Sequence, residues 1–86
     1  MEVRFTPSFL RQLKKLPKAL QQEAVEKINL FKDDFQHPML KTHKLKGRLK
    51  DRYSFSVNYQ TRIVFRLLRK DTAVLLAVGD HDVYKK

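Results

Sequence analysis

The stretch Tyr53-Ser54-Phe55-Ser56-Val57-Asn58-Tyr59-Gln60-Thr61-Arg62-Ile63-Val64-Phe65-Arg66-Leu67-Leu68 decides the fold. Its first half alternates strictly. Tyr53, Phe55, Val57 and Tyr59 point one way, and Ser54, Ser56 and Asn58 point the other. This is the period of a strand with one face buried. A turn is expected near Asn58-Tyr59-Gln60. After it, Ile63, Phe65 and Leu67 fall on the apolar side, and Arg62 and Arg66 share the polar side with Ser54 and Ser56. The reading is an antiparallel pair with one face on a core and one face left open.

The elements around this pair follow from it. Lys70-Asp71 marks a turn, and Ala73-Val74-Leu75-Leu76-Ala77-Val78 is apolar on both faces, so this strand is expected inside the sheet. Gly79 is expected to stop it, leaving Asp80 to Lys86 as a tail. Upstream, His37-Pro38 breaks the pattern, and residues 36–50 read as a basic connector. Before that lie two helices. Thr6-Pro7 is an N-cap and first-turn pair, and Phe9, Leu13 and Leu16 recur at helical spacing. Pro17 ends that helix and opens the next. The second helix carries the stripe Leu20, Ala24, Ile28, Phe31 and Phe35. Val3 and Phe5 suggest a short first strand. The expected order is β-α-α-β-β-β. A helical hairpin bent at Pro17 covers one face of a mostly antiparallel four-stranded sheet, giving a single α+β domain over residues 1–86.

Charge supplies the functional clue. The chain carries 19 Lys and Arg against 9 Asp and Glu, a formal net charge of +10. The excess is one-sided. Lys41, Lys44, Lys46, Arg48, Lys50, Arg52, Arg62, Arg66, Arg69 and Lys70 face a single acid, Asp51, between residues 41 and 70. Such clustering points to a polyanion, here nucleic acid. Other chemistries lack their residues. There is no Cys, and His37, His43 and His81 are scattered without ligand-spaced carboxylates, so no zinc site is expected. Two glycines build no phosphate-cradling loop, and no nucleophile-elbow motif is present. No cofactor is expected. The start, MEVRFTPSF, has no signal-peptide core, and no apolar run approaches the ~20 residues of a membrane span. A cytoplasmic protein is expected.

Four motifs in order carry a resemblance. They are Leu45-Lys46-Gly47, Tyr53-Ser54-Phe55-Ser56-Val57, Thr61-Arg62-Ile63-Val64-Phe65, and Gly79-Asp80-His81-Asp82-Val83-Tyr84. Together with the helix pair and the Leu16-Pro17 break, the chain resembles the RelE/ParE toxin superfamily, nearest the RelE, YoeB and YafQ mRNA-interferase branch. The resemblance implies the toxin of a type II toxin-antitoxin system. Such a toxin enters the ribosomal A site, against 16S rRNA, and cuts mRNA there without metal. The RNA 2′-hydroxyl attacks the adjacent phosphate and leaves a 2′,3′-cyclic phosphate and a 5′-hydroxyl, stopping translation. The reaction needs a proton acceptor, a cation for the phosphorane and an acid for the leaving oxygen.

The same resemblance assigns residues to those roles. Arg62 matches the strand arginine and offers a planar fork for phosphate. His81 matches a C-terminal histidine, and imidazoles titrate near neutrality. Tyr84 matches the terminal aromatic, with base stacking, phosphate orientation or proton transfer as its implied roles. His43 stands where YafQ-like members place a functional histidine. Lys44, Lys46, Arg48, Lys50, Arg52 and Arg66 are expected on phosphates, with Ser54 and Ser56 lining the same open face. Where RelE carries lysines on that face, this chain has the two serines, which shifts the expected proton work to His81 and His43. His37, beside Pro38, reads as structural. An antitoxin protein is the implied partner, with acidic side chains suiting the basic surface and oligomeric state set by their complex. Two other functions share the fold: a ParE-like toxin that poisons DNA gyrase without nuclease activity, and an inactive RNA- or ribosome-binding member.

Overall fold

The computed structural model describes residues 1–46 and 51–80. The order is β1 (Glu2–Phe5), α1 (Pro7–Lys15), α2 (Lys18–Asp33), a 3-10 turn (Pro38–Leu40), β2 (His43–Lys44), β3 (Tyr53–Ser56), β4 (Thr61–Arg69) and β5 (Thr72–Asp80). The strands form one mixed sheet in the order β1-β5-β4-β3-β2. β1 runs parallel to β5, from which it is separated in the chain by both helices and the other three strands. The other pairs are antiparallel. Both helices lie on one face of the sheet, so the expected α+β architecture holds. No helix among the described residues is long and apolar enough to cross a membrane.

Local chemistry sets the helix ends. The Thr6 hydroxyl accepts from the Phe9 N–H at 3.1 Å and donates to the Leu75 carbonyl at 3.2 Å. One side chain thus caps α1 and ties it to β5. Pro17 pushes the residue before it out of the helical region, and Leu16 is extended at φ −73°, ψ 150°. The Gln21 amide then donates to the orphaned Leu16 carbonyl at 2.7 Å.

The core gathers Phe9 from α1, Ala24, Ile28 and Phe31 from α2, and Phe55, Ile63, Phe65 and Leu75 from the sheet. Phe31 is fully buried. Its ring stacks on Phe55 at 4.5 Å and meets Phe65 edge-on at 4.8 Å. These are favourable aromatic geometries. The helices therefore cover the face on which Phe55, Ile63 and Phe65 alternate, as their period requires.

Three expectations change. The sheet has five strands, because His43 and Lys44 pair with Ser54 and Tyr53 inside the segment read as a connector. Two residues carry no period, so composition could not reveal them. β3 ends at Ser56, and Tyr59 is 80% exposed rather than facing the helices. There the Asn58 Oδ1 accepts from the backbone N–H groups of Gln60 (2.9 Å) and Thr61 (2.8 Å), closing a tight turn that breaks the alternation. Gly79 does not stop β5. It lies inside the strand, opposite Arg62.

Candidate active site on the open face

Register assigns the open face. His43 pairs with Ser54, Ser54 with Val64, and Val64 with Ala77, giving one row across four strands. Ser56, Arg62 and Gly79 form the next row. Arg66, Val74 and Arg4 form a third row beyond a register shift. Cross-strand partners share a face, so His43, Arg62, Arg66, Ser54 and Ser56 all lie opposite the helices. The shift leaves Leu76 as an extra residue in β5, and such bulges sharpen the twist of a sheet.

Arg62 has a built position. It is half-buried, with glycine on one side in its row and serine on the other. These small neighbours leave room for a guanidinium to lie against the sheet. Its Nη1 donates to the Asn58 carbonyl at 2.5 Å and more weakly to the Thr61 carbonyl at 3.4 Å. A guanidinium has five N–H donors. Anchoring through one nitrogen leaves the Nε–Nη2 edge, a fork matched to two phosphate oxygens. Ion pairs among the described residues join Arg4 to Glu2 and Arg52 to Asp51. No carboxylate neutralises Arg62 or Arg66 there. Among the described residues, the charges of Arg62 and Arg66 are therefore open to an anion.

His43 is exposed at the sheet edge. Its Nδ1 lies 3.0 Å from the Lys41 carbonyl. A carbonyl only accepts, so Nδ1 carries the proton and Nε2 is the basic nitrogen of the neutral ring. Lys41 itself is held in the left-handed region at φ 50°, ψ 42°. That conformation is disfavoured for a non-glycine residue. The turn geometry thus selects the imidazole tautomer that a general base needs. His43 and Arg62 are two strands and two residues apart, about 12 Å between Cα atoms from sheet spacings. Side chains of their lengths can converge on one phosphodiester.

The remaining candidates separate. Ser54 and Ser56 are on the open face, but both are buried, at 0% and 7% exposure. Val64, the cross-strand partner of Ser54, is likewise buried, at 5%. The expected open serine lining is thus a covered floor. Arg52 is paired with Asp51 at 2.6 Å, which offsets its charge. Lys44 lies opposite Tyr53 and so falls on the helix side of β2, away from Arg62. Lys46 is exposed just beyond β2. Arg48, Lys50, His81 and Tyr84 lie outside the described residues. Asp80, which precedes His81 in the sequence, pairs with Thr61 beside Arg62. His37 does cap the 3-10 turn, its Nδ1 accepting from the Met39 N–H at 3.1 Å.

Two positions escaped sequence reasoning. Asn58 anchors Arg62 through its backbone carbonyl, an interaction that no side-chain pattern signals. Arg4 joins the open-face row of Arg66 only because β1 pairs in parallel with β5.

Known proteins share this fold. A family model described as the ParE toxin of the type II toxin-antitoxin system, parDE, matches residues 3–83. No curated protein matches the chain. Among solved structures, the RelBE2 toxin-antitoxin complex of Mycobacterium tuberculosis is 28% identical, with a TM-score of 0.73 over 93% of this chain and 96% of that one. The YoeB/ParE toxin of Agrobacterium tumefaciens is 16% identical, with a TM-score of 0.76 over 94% and 99%. YafQ of Escherichia coli is 12% identical, with a TM-score of 0.79 over 99% and 98%. The match over nearly the whole sequence, on a sheet and helix pair of this topology, places the chain in the ParE toxin family of type II toxin-antitoxin systems, within the RelE/ParE superfamily.

Proposed function

We propose that this toxin is a ribosome-dependent, metal-independent endoribonuclease. The observation that carries the reading is Arg62: an anchored guanidinium, paired with no carboxylate among the described residues, lying beside glycine on the open face, with the His43 imidazole two strands away. In the reaction, the 2′-oxygen attacks the adjacent phosphorus while Nε2 of His43 takes its proton. Arg62 binds two phosphate oxygens and offsets the charge that grows on the phosphorane. The bond from phosphorus to the 5′-oxygen then breaks. That oxygen gains a proton from an acid, the role proposed for His81, with Tyr84 orienting the phosphate or stacking on a base. The products are a 2′,3′-cyclic phosphate and a 5′-hydroxyl. Arg66 and the lysines near β2 hold flanking phosphates of mRNA and 16S rRNA through salt-sensitive contacts.

The partner is an antitoxin. The RelBE2 structure is a toxin-antitoxin complex, and a chain of net charge +10 favours an acidic partner segment. A second reading keeps the family but not the enzyme: the matching family model is that of ParE toxins, which favours gyrase poisoning. A coupled translation extract separates the two. Cuts within A-site codons, mapped at mRNA 5′ ends and lost in Arg62→Ala, support the nuclease. Intact mRNA with inhibited gyrase supercoiling supports the second reading. Intact mRNA with normal supercoiling leaves an inactive binding member.

A further inference from the structure

β2 is a single edge strand with two different sides. His43 falls on the open face, and Lys44, opposite Tyr53, falls on the helix side. Behind the strand lies a cleft of about 410 Å³, bounded by the 3-10 turn and the ends of β3 and β4. Its lining includes the rings of Phe35 and Tyr53, with His37, Lys41 and Lys44 around them. We infer that this cleft is a second RNA subsite, which takes the base and outer phosphate of a nucleotide next to the cleaved linkage. The inference rests on the RNA-cleavage reading and extends it from phosphate contacts by the lysines near β2 to a cleft that holds a base.

Three observations carry it. The cleft has the size and character of a small-ligand site, mostly apolar with a few polar groups. Phe35 is 36% exposed and Tyr53 is half-buried, so aromatic surface is open to a base. Single-stranded RNA is held by stacking of this kind. The second observation is chemical. His37 Nδ1 accepts from Met39, so the neutral ring carries its proton on Nε2 as a donor for a base edge. Lys41 and Lys44 supply ammonium groups, and no carboxylate among the described residues lines the cleft. The third is continuity. Lys41, in its disfavoured left-handed conformation, lines the cleft and also receives the His43 Nδ1–H. Strained residues recur at ligand clamps. His43 itself lines the cleft, so an RNA strand at its imidazole is already at the cleft's edge. An acidic peptide with an apolar anchor would meet the same lysines, but it gives no reason for the direct link to His43.

The test is a titration of isotope-labelled toxin with adenosine and uridine 5′-monophosphates. A short RNA made uncleavable by one 2′-deoxy substitution follows. Backbone amide shifts report the site. The comparison protein is Phe35→Ala with Lys41→Gly and Lys44→Gln; glycine keeps the left-handed backbone while removing the ammonium. The inference predicts shifts at Phe35, Thr42, Lys44 and Tyr53 with the mononucleotides, and roughly tenfold weaker binding in the triple variant. Unchanged shifts around Arg62 in that variant show that it is folded. Shifts at Arg62 and Ser56 with RNA but silence in the cleft would overturn the inference and leave the nuclease standing. Silence on both faces would remove both. Cleft shifts with an acidic peptide but not with nucleotides would overturn it in favour of a protein-docking site.

Discussion

Replacing Arg62 by lysine separates charge from shape. The ammonium keeps the positive charge but cannot hold the Asn58 carbonyl and also offer two parallel N–H donors to phosphate. The loss is one charge-assisted hydrogen bond to the phosphorane, worth about 1.5–3 kcal/mol. At 1.36 kcal/mol per decade, that is a fall of about 10- to 160-fold in the cleavage step. Arg62→Ala removes charge and fork together and is expected to cost about 10²–10³-fold. The half-buried side chain packs against a small-residue row, so the lysine variant should unfold within about 1 kcal/mol of the parent. The assay is single-turnover cleavage of mRNA on programmed ribosomes, with urea unfolding as the folding control. Parent-like rates for Arg62→Lys would show that a point charge suffices and that the anchored fork plays no part.

Other expectations test the scaffold and the surroundings of the site. Phe31→Ala empties the ring stacked on Phe55 and Phe65 and should cost about 3–5 kcal/mol. The total for a domain this size is about 4–13 kcal/mol, so urea or heat unfolding should show a severely weakened protein. Thr6→Ala removes both the cap of α1 and its tie to Leu75, and should lower stability by about 1–2 kcal/mol in the same assay. Gly79→Val places a branched side chain beside Arg62. Cleavage should fall at least tenfold while the unfolding midpoint holds or rises, since valine suits a strand. Lys41→Gly relieves a left-handed residue and should stabilise the fold by up to about 1 kcal/mol by urea unfolding.

Much of the architecture was legible because alternation is a strong signal. Phe55, Ile63 and Phe65 face the helices as their spacing requires, and Thr6-Pro7 and Pro17 set the helix boundaries through local sterics. What escaped has physical causes. β2 is too short to have a period, so its pairing depends on the edge that β3 offers. Tyr59 carries the parity of β3 but sits in a turn made by the Asn58 side chain. Gly79 reads as a stop, yet it serves as the small neighbour of Arg62. At the site, Arg62 and His43 could be named from residue type and resemblance. Their shared face, the tautomer of His43 and the anchor of Arg62 follow from register and backbone carbonyls, which residue types do not encode.

The open face is held to act by turning the RNA's own 2′-hydroxyl into the nucleophile, with Arg62 bearing the charge that results. The direct measurement pairs two mRNAs on programmed ribosomes, one all-ribose and one with a single 2′-deoxy nucleotide at the cleaved position, and identifies the product ends. The account predicts a 2′,3′-cyclic phosphate and a 5′-hydroxyl from the first and no cut at that linkage in the second. Cleavage of the deoxy substrate at the same linkage and at a similar rate would contradict it.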